Sequence, residues 1–101
     1  MASKLQSQIL TYLKSLPRCW CIKVISANER GCPDILCCYR GYFVVIEVKE
    51  GLDRLKPIQK EQLRAIGRAD GIRIVAEHYG VFKDIFENVV RMAIDSKENK
   101  L

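Results

Sequence analysis

Two apolar runs of equal length flank the dipeptide Arg40-Gly41, and no other stretch of the chain constrains its fold so tightly. Ile35-Leu36-Cys37-Cys38-Tyr39 and Tyr42-Phe43-Val44-Val45-Ile46 are rich in β-branched and aromatic residues, and the glycine between them marks a turn. A two-residue turn at Arg40-Gly41 pairs Tyr39 with Tyr42. Carried outward, the same register sets Asp34 opposite Glu47. Side chains alternate along a strand, so Asp34, Glu47 and Lys49 fall on one face at one end of the hairpin. A loop one residue longer would shift every partner and undo this convergence.

Like charges directly opposed across two strands destabilise the pair. Coulomb's law puts the repulsion at about 3 kcal/mol for a separation of roughly 5 Å and an effective dielectric of about 20. A shared proton, Lys49 or a divalent cation can offset it. Hard carboxylate oxygens suit Mg²⁺ or Mn²⁺, which take one or two carboxylates together with waters and substrate phosphate. The plainer alternative is a surface ladder of Glu47 and Lys49, with Asp34 as a turn residue after Pro33.

The chain has 101 residues, enough for one domain over 1-101 with a single modest core. Hydrophobic residues at 49% and charged residues at 29% describe a globular rather than a disordered chain. No apolar run approaches the length needed to cross a bilayer, and Met1-Ala2-Ser3-Lys4 opens no apolar signal segment. These features lead us to expect a cytoplasmic protein with no membrane partner. The net charge of +5 suits a polyanion, because phosphate contacts release counterions. Acids placed inside such a basic chain would repel DNA unless a metal reversed the local field. The five cysteines, among them Cys19-Trp20-Cys21 and Cys37-Cys38, lack the paired spacing of a zinc site. Free, buried thiols in a reducing compartment are the expectation.

Ser3-Lys4-Leu5-Gln6 predicts a capping box in which Gln6 reaches back to the helix start. Leu5, Ile9, Tyr12, Leu13 and Leu16 then line one helical face, which Pro17 stops. Residues 19–26 read as a strand with Trp20 in the core, and residues 27–33 as a loop. The hairpin is apolar on both faces, so helices should cover both sides of its sheet. Pro57 suits the first turn of a helix carrying Ile58, Leu63, Ile66 and Ala69, and Asp70-Gly71 ends it. Ile72 to Ala76 alternates as a short strand. Phe82, Ile85, Phe86, Val89, Val90, Ala93 and Ile94 keep helical spacing, and residues 96–101 read as a frayed tail. His78, the lone histidine, reads as a loop residue. The order is αβββαβα, an α/β fold with a mixed central sheet flanked by helices.

That order, with Pro33-Asp34 and Glu47-Val48-Lys49, resembles the PD-(D/E)xK nuclease superfamily and its restriction-endonuclease-like core. More narrowly, the chain looks like a stand-alone VRR-NUC domain, the virus-type replication-repair nuclease. Leu5-Gln6 with Ile9 and Tyr12-Leu13, Gly31-Cys32-Pro33-Asp34-Ile35-Leu36, Ile46-Glu47-Val48-Lys49 and Pro57-Ile58-Gln59 carry the likeness over nearly the whole chain. The resemblance implies a metal-dependent DNA endonuclease acting on branched DNA such as Holliday junctions or flaps, in phage or mobile-element replication or repair, and working as a homodimer. It implies Asp34, Glu47 and the Val48 carbonyl as ligands of Mg²⁺ or Mn²⁺, Lys49 as the group that orients water or stabilises charge, and Gln59 as a helper in placing phosphate or water. Arg54, Lys56, Lys60 and Arg64 crowd the segment after Lys49 and could track a DNA backbone; a solvated helix face is the alternative. The family's usual first-helix acid is missing: Ala2-Ser3-Lys4 stands there, leaving Gln6 as a neutral oxygen or Glu29 from the following loop as substitutes. The loss also leaves room for a DNA-binding module that does not cut.

Overall fold

The hairpin register holds. In the computed structural model, which describes residues 3–99, β2 (Ile35–Tyr39) and β3 (Tyr42–Val48) pair antiparallel from Tyr39 against Tyr42 to Ile35 against Ile46. Arg40 and Gly41 both take positive φ, +54° and +87°, the pair of values that lets a two-residue turn match the twist of its strands. A non-glycine residue in that region is strained. Arg40 is held there by its guanidinium, which donates to Asp95 Oδ1 and Glu98 Oε2 at 2.6 Å each.

Ahead of the hairpin stand α1 (Lys4–Ser15) and β1 (Cys19–Lys23), which pairs antiparallel with β2. The cap of α1 forms by half: Ser3 Oγ accepts from the Gln6 N–H at 2.9 Å, but Gln6 does not reach back, and its Oε1 is buried without a partner. After the hairpin come α2 (Pro57–Arg68) and β4 (Ile72–Ala76), which pairs parallel with β3 and closes a sheet of order β1-β2-β3-β4. The chain ends in α3 (Tyr79–Ile85), a π-helical segment (Phe86–Val90) and α4 (Arg91–Asn99), helical throughout. The tail expected to fray is therefore helical as far as Asn99, held by Asp95 and Glu98 on Arg40 and by Lys97 over the Tyr42 ring. Residues 100 and 101, also assigned to that tail, lie outside the described ones.

Strand alternation sorts the sheet into two unlike faces. Cys21, Ile35, Cys37, Tyr39, Val44, Ile46, Val48, Ile74 and Ala76 point to one side, where α1 and the C-terminal helices bury them. Tyr12 lies edge-on to Phe82 and Phe86 there, with ring centroids 6.1 and 5.9 Å away, which joins α1 to the C-terminal helix. On the opposite side α2 covers Val45 and Glu47, but Trp20 stays 61% exposed, Phe43 48% and Ile22 42%. Trp20 is thus no core residue, and helices do not cover both faces fully. One helix of 12 residues is too narrow for four strands. Among the described residues no helix is long and apolar enough to cross a membrane.

Candidate metal and phosphate site

Asp34 ends the loop before β2, and its Oδ2 accepts the Val48 N–H at 2.7 Å. This bond ties the aspartate to the end of β3, where Glu47 and Lys49 project. The loop that delivers Asp34 is wedged against α2: Gly31, at φ +77°, lies so close that a Cβ there would sit 2.8 Å from the Ile58 carbonyl oxygen. Gln62 Nε2 adds a donor to the Arg30 carbonyl at 2.9 Å. Glycine is needed at 31 for both its conformation and its lack of bulk.

Glu47 and Lys49 are 1% and 6% exposed, and they are the two charged residues within the buried set. Burial and the nearby charge of Asp34 push the Glu47 carboxyl up to about 7, against the opposing pull of Lys49. Its Oε1 receives Gln59 Nε2 at 3.3 Å and lies 3.4 Å from Lys49 Nζ. Its Oε2 is buried with no hydrogen-bond partner among the described residues. Buried polar atoms are almost always hydrogen-bonded, so a free carboxylate oxygen beside a second carboxylate is an acceptor set without its donor. A hard divalent cation would suit that set, and Asp34 and Glu47 are the residues that could hold it. The Val48 N–H faces Asp34, and a strand residue turns N–H and C=O to the same side; the Val48 carbonyl therefore leaves the strand toward Asp34 as well.

Gln59 is oriented by its helix. Its Oε1 accepts the Lys56 N–H at 2.9 Å in a capping interaction, which leaves only the amide NH₂ end to face Glu47. Lys49 Nζ lies between Glu47 Oε1 and Asp53 Oδ2, the latter at 3.5 Å. Asp53 was not legible beforehand as a site residue; its i,i+4 spacing from Lys49 was the available signal. Cys32 was missed too: its thiol is pushed up by burial, then by Glu47 and Asp34.

The outlying candidates divide. Arg54 and Lys60 line a cleft of about 230 Å³ together with Lys49, Asp53 and Glu77. Arg54 also donates to the Gly51 and Asp53 carbonyls. Lys56 is exposed at the start of α2, and Arg64 is tied to Glu61 at 3.2 Å on that helix's outer side. Glu29 is exposed in its loop. Among the described residues no group of three His, Cys, Asp or Glu side chains is placed to hold a metal.

A solved structure described as a VRR_NUC domain shares this fold, with a TM-score of 0.74, 18% identity, and coverage of 85% of this chain and 94% of that one. No protein-family model and no curated protein matches the chain. The protein thus has the VRR_NUC fold: a four-stranded mixed sheet flanked by helices.

Proposed function

We propose that this protein is a Mg²⁺- or Mn²⁺-dependent endonuclease that hydrolyses phosphodiesters in branched DNA and works as a pair of identical subunits. The observation that carries the reading is the buried, unpartnered Glu47 Oε2 beside Asp34, with Lys49 at the same carboxylate. Asp34, Glu47 and the Val48 carbonyl would hold the metal, and its first-helix ligand would be the neutral Gln6 oxygen or water. When bound, the ion polarises the scissile phosphate and lowers the pKa of a coordinated water. Lys49 then places a positive charge against oxygens that gain negative charge as the bond breaks. Gln59 keeps Glu47 in one orientation through its amide NH₂. Arg54 and Lys60 in the adjoining cleft supply phosphate contacts along the backbone, with Lys56 and Arg64 further out.

A DNA-binding module without cleavage is the second reading, favoured by the absence, among the described residues, of a third acidic group beside Asp34 and Glu47. One experiment separates the two: cleavage of a labelled four-way junction, a flap and a linear duplex in Mg²⁺, Mn²⁺ or EDTA. The nuclease reading expects metal-dependent cutting of the branched substrates that disappears in Asp34→Ala and Lys49→Ala. Binding to the junction without cutting in either metal would instead support the module.

A further inference from the structure

The sheet face that carries Asp34 and Glu47 continues past them uncovered. The register places Trp20, Cys38 and Phe43 in one row across β1, β2 and β3, and strand alternation sets that row on the same face as the two acids. Both aromatic rings are exposed. Phe43 is nonetheless backed on one side: a Cβ at Gly71 would lie 3.2 Å from its ring, so the turn between α2 and β4 holds it in place. The row stands four residues from Asp34 along β2 and four from Glu47 along β3, about 14 Å at 3.4 Å per residue. Ile22 and Leu36 occupy the ground between. With Val24, Asn28 and Cys32 they line a groove of about 720 Å³ that leads toward Asp34.

Charge selects the occupant. Residues 1–33 carry Lys4, Lys14, Arg18, Lys23 and Arg30 against the single acid Glu29. Arg18 and Lys23 bracket the middle of β1, and Lys14 lies close enough to act on the Cys21 thiol. Among the described residues none of these five cations is in an ion pair. A second copy of this chain would bring the same cations against them, whereas a polyanion offsets them. Duplex DNA offers phosphates but keeps its bases stacked inside, so aromatic rings on an open sheet take bases from an unpaired strand. We propose that this face binds single-stranded nucleic acid, with bases stacked on Trp20 and Phe43 and the strand running along the groove to Asp34 and Glu47. The two rings lie two strands apart, about 10 Å, so each serves a different base. The distance from the row to the acids spans about four nucleotides at the 3.4 Å spacing of a stacked strand, and fewer in an extended one. The face thus selects phosphodiesters within a few nucleotides of an unpaired arm. That consequence for cutting rests on the nuclease reading; the binding itself does not.

Trp20, the single tryptophan, reports on the face directly. In EDTA, a thymidine oligonucleotide of about ten nucleotides should quench its emission saturably. A strand of the same length without bases should bind at least about tenfold more weakly, because it keeps the phosphates and loses the stacking. Trp20→Ala and Phe43→Ala should each weaken binding of the labelled oligonucleotide about tenfold, read by fluorescence anisotropy. Trp20→Phe, which keeps a ring, should regain most of that loss. Unchanged emission, equal affinity for the strand without bases, or alanine variants that bind as tightly as wild type would each overturn the stacking. The comparison of the two strands uses wild-type protein, so it decides the matter even where a variant fails to fold. Emission that shifts with protein concentration but not with oligonucleotide would assign the face to a second copy and refute the proposal as well. No metal is present, so the outcome is independent of cleavage. A protein that binds the strand but never cuts loses only the nuclease reading, and one that cuts without sensing the bases loses only this one.

Discussion

The two faces of the sheet are both largely apolar but are used differently. One is sealed by α1 and the C-terminal helix, with Phe82, Phe86, Ile9 and Ile94 at 0–1% exposure. The other bears α2 across β3 and β4 only, with two buried charged side chains under one end of it and an open tryptophan at the far edge. Stability is concentrated on the first face, and the candidate site lies on the second. A site that holds like charges together costs folding energy, and the sealed face offsets that cost.

This contrast can be broken in decreasing steps. Lys49→Ala or Asp34→Ala should lower cleavage by about 10³-fold or more, as loss of a transition-state charge or a metal ligand does, while circular dichroism stays unchanged. On the sealed face Phe86→Ala should cost about 3–5 kcal/mol in urea denaturation. Phe43→Ala on the open face should cost under about 1 kcal/mol, since half the ring is already in water. Equal losses would mean that the faces are energetically alike.

The Glu47 carboxyl allows a sharper comparison. Its folded value of about 7 lies above the ordinary 4.5, so the folded metal-free protein binds this proton more tightly than the unfolded chain does. Stability on this account is full below about pH 4.5 and falls as pH rises through about 7, by at most about 3 kcal/mol. Thermal melts of metal-free protein should show that decline, Glu47→Gln should flatten it, and Mg²⁺ should restore stability at alkaline pH. Gly31→Ala tests the loop that carries Asp34. The added methyl meets the Ile58 carbonyl in a left-handed backbone, and a loss of about 2 kcal/mol is expected, accompanied by weaker metal binding as the loop carrying Asp34 shifts.

The strand pairing was readable because two equal apolar runs around one glycine admit few registers, and the same register delivered Asp34 to Glu47. Coverage was not readable. Alternation says that Trp20 and Cys21 face opposite ways, but not that only Cys21 meets a helix; that depends on where α2 crosses, a tertiary outcome. Helix beyond residue 96 was hidden for a related reason. Its polar composition favours fraying, and the ion pairs that hold it come from Arg40, more than fifty residues earlier. Gln6 looked like the reciprocal half of a cap, yet its Oε1 is buried without a partner among the described residues instead, a choice that local sequence does not encode.

The clamp on Arg40 also has a bearing on biosynthesis. The hairpin turn, the Tyr12 hydroxyl and the aromatic cluster all close against residues 82–98, the last part of the described chain to leave the ribosome. Until those residues emerge, β2 and β3 can pair but their apolar side lacks its cover, and the strained turn lacks its anchor. Folding of this domain is therefore expected to finish only once residues 82–98 have emerged, which makes the nascent hairpin the segment most in need of a chaperone.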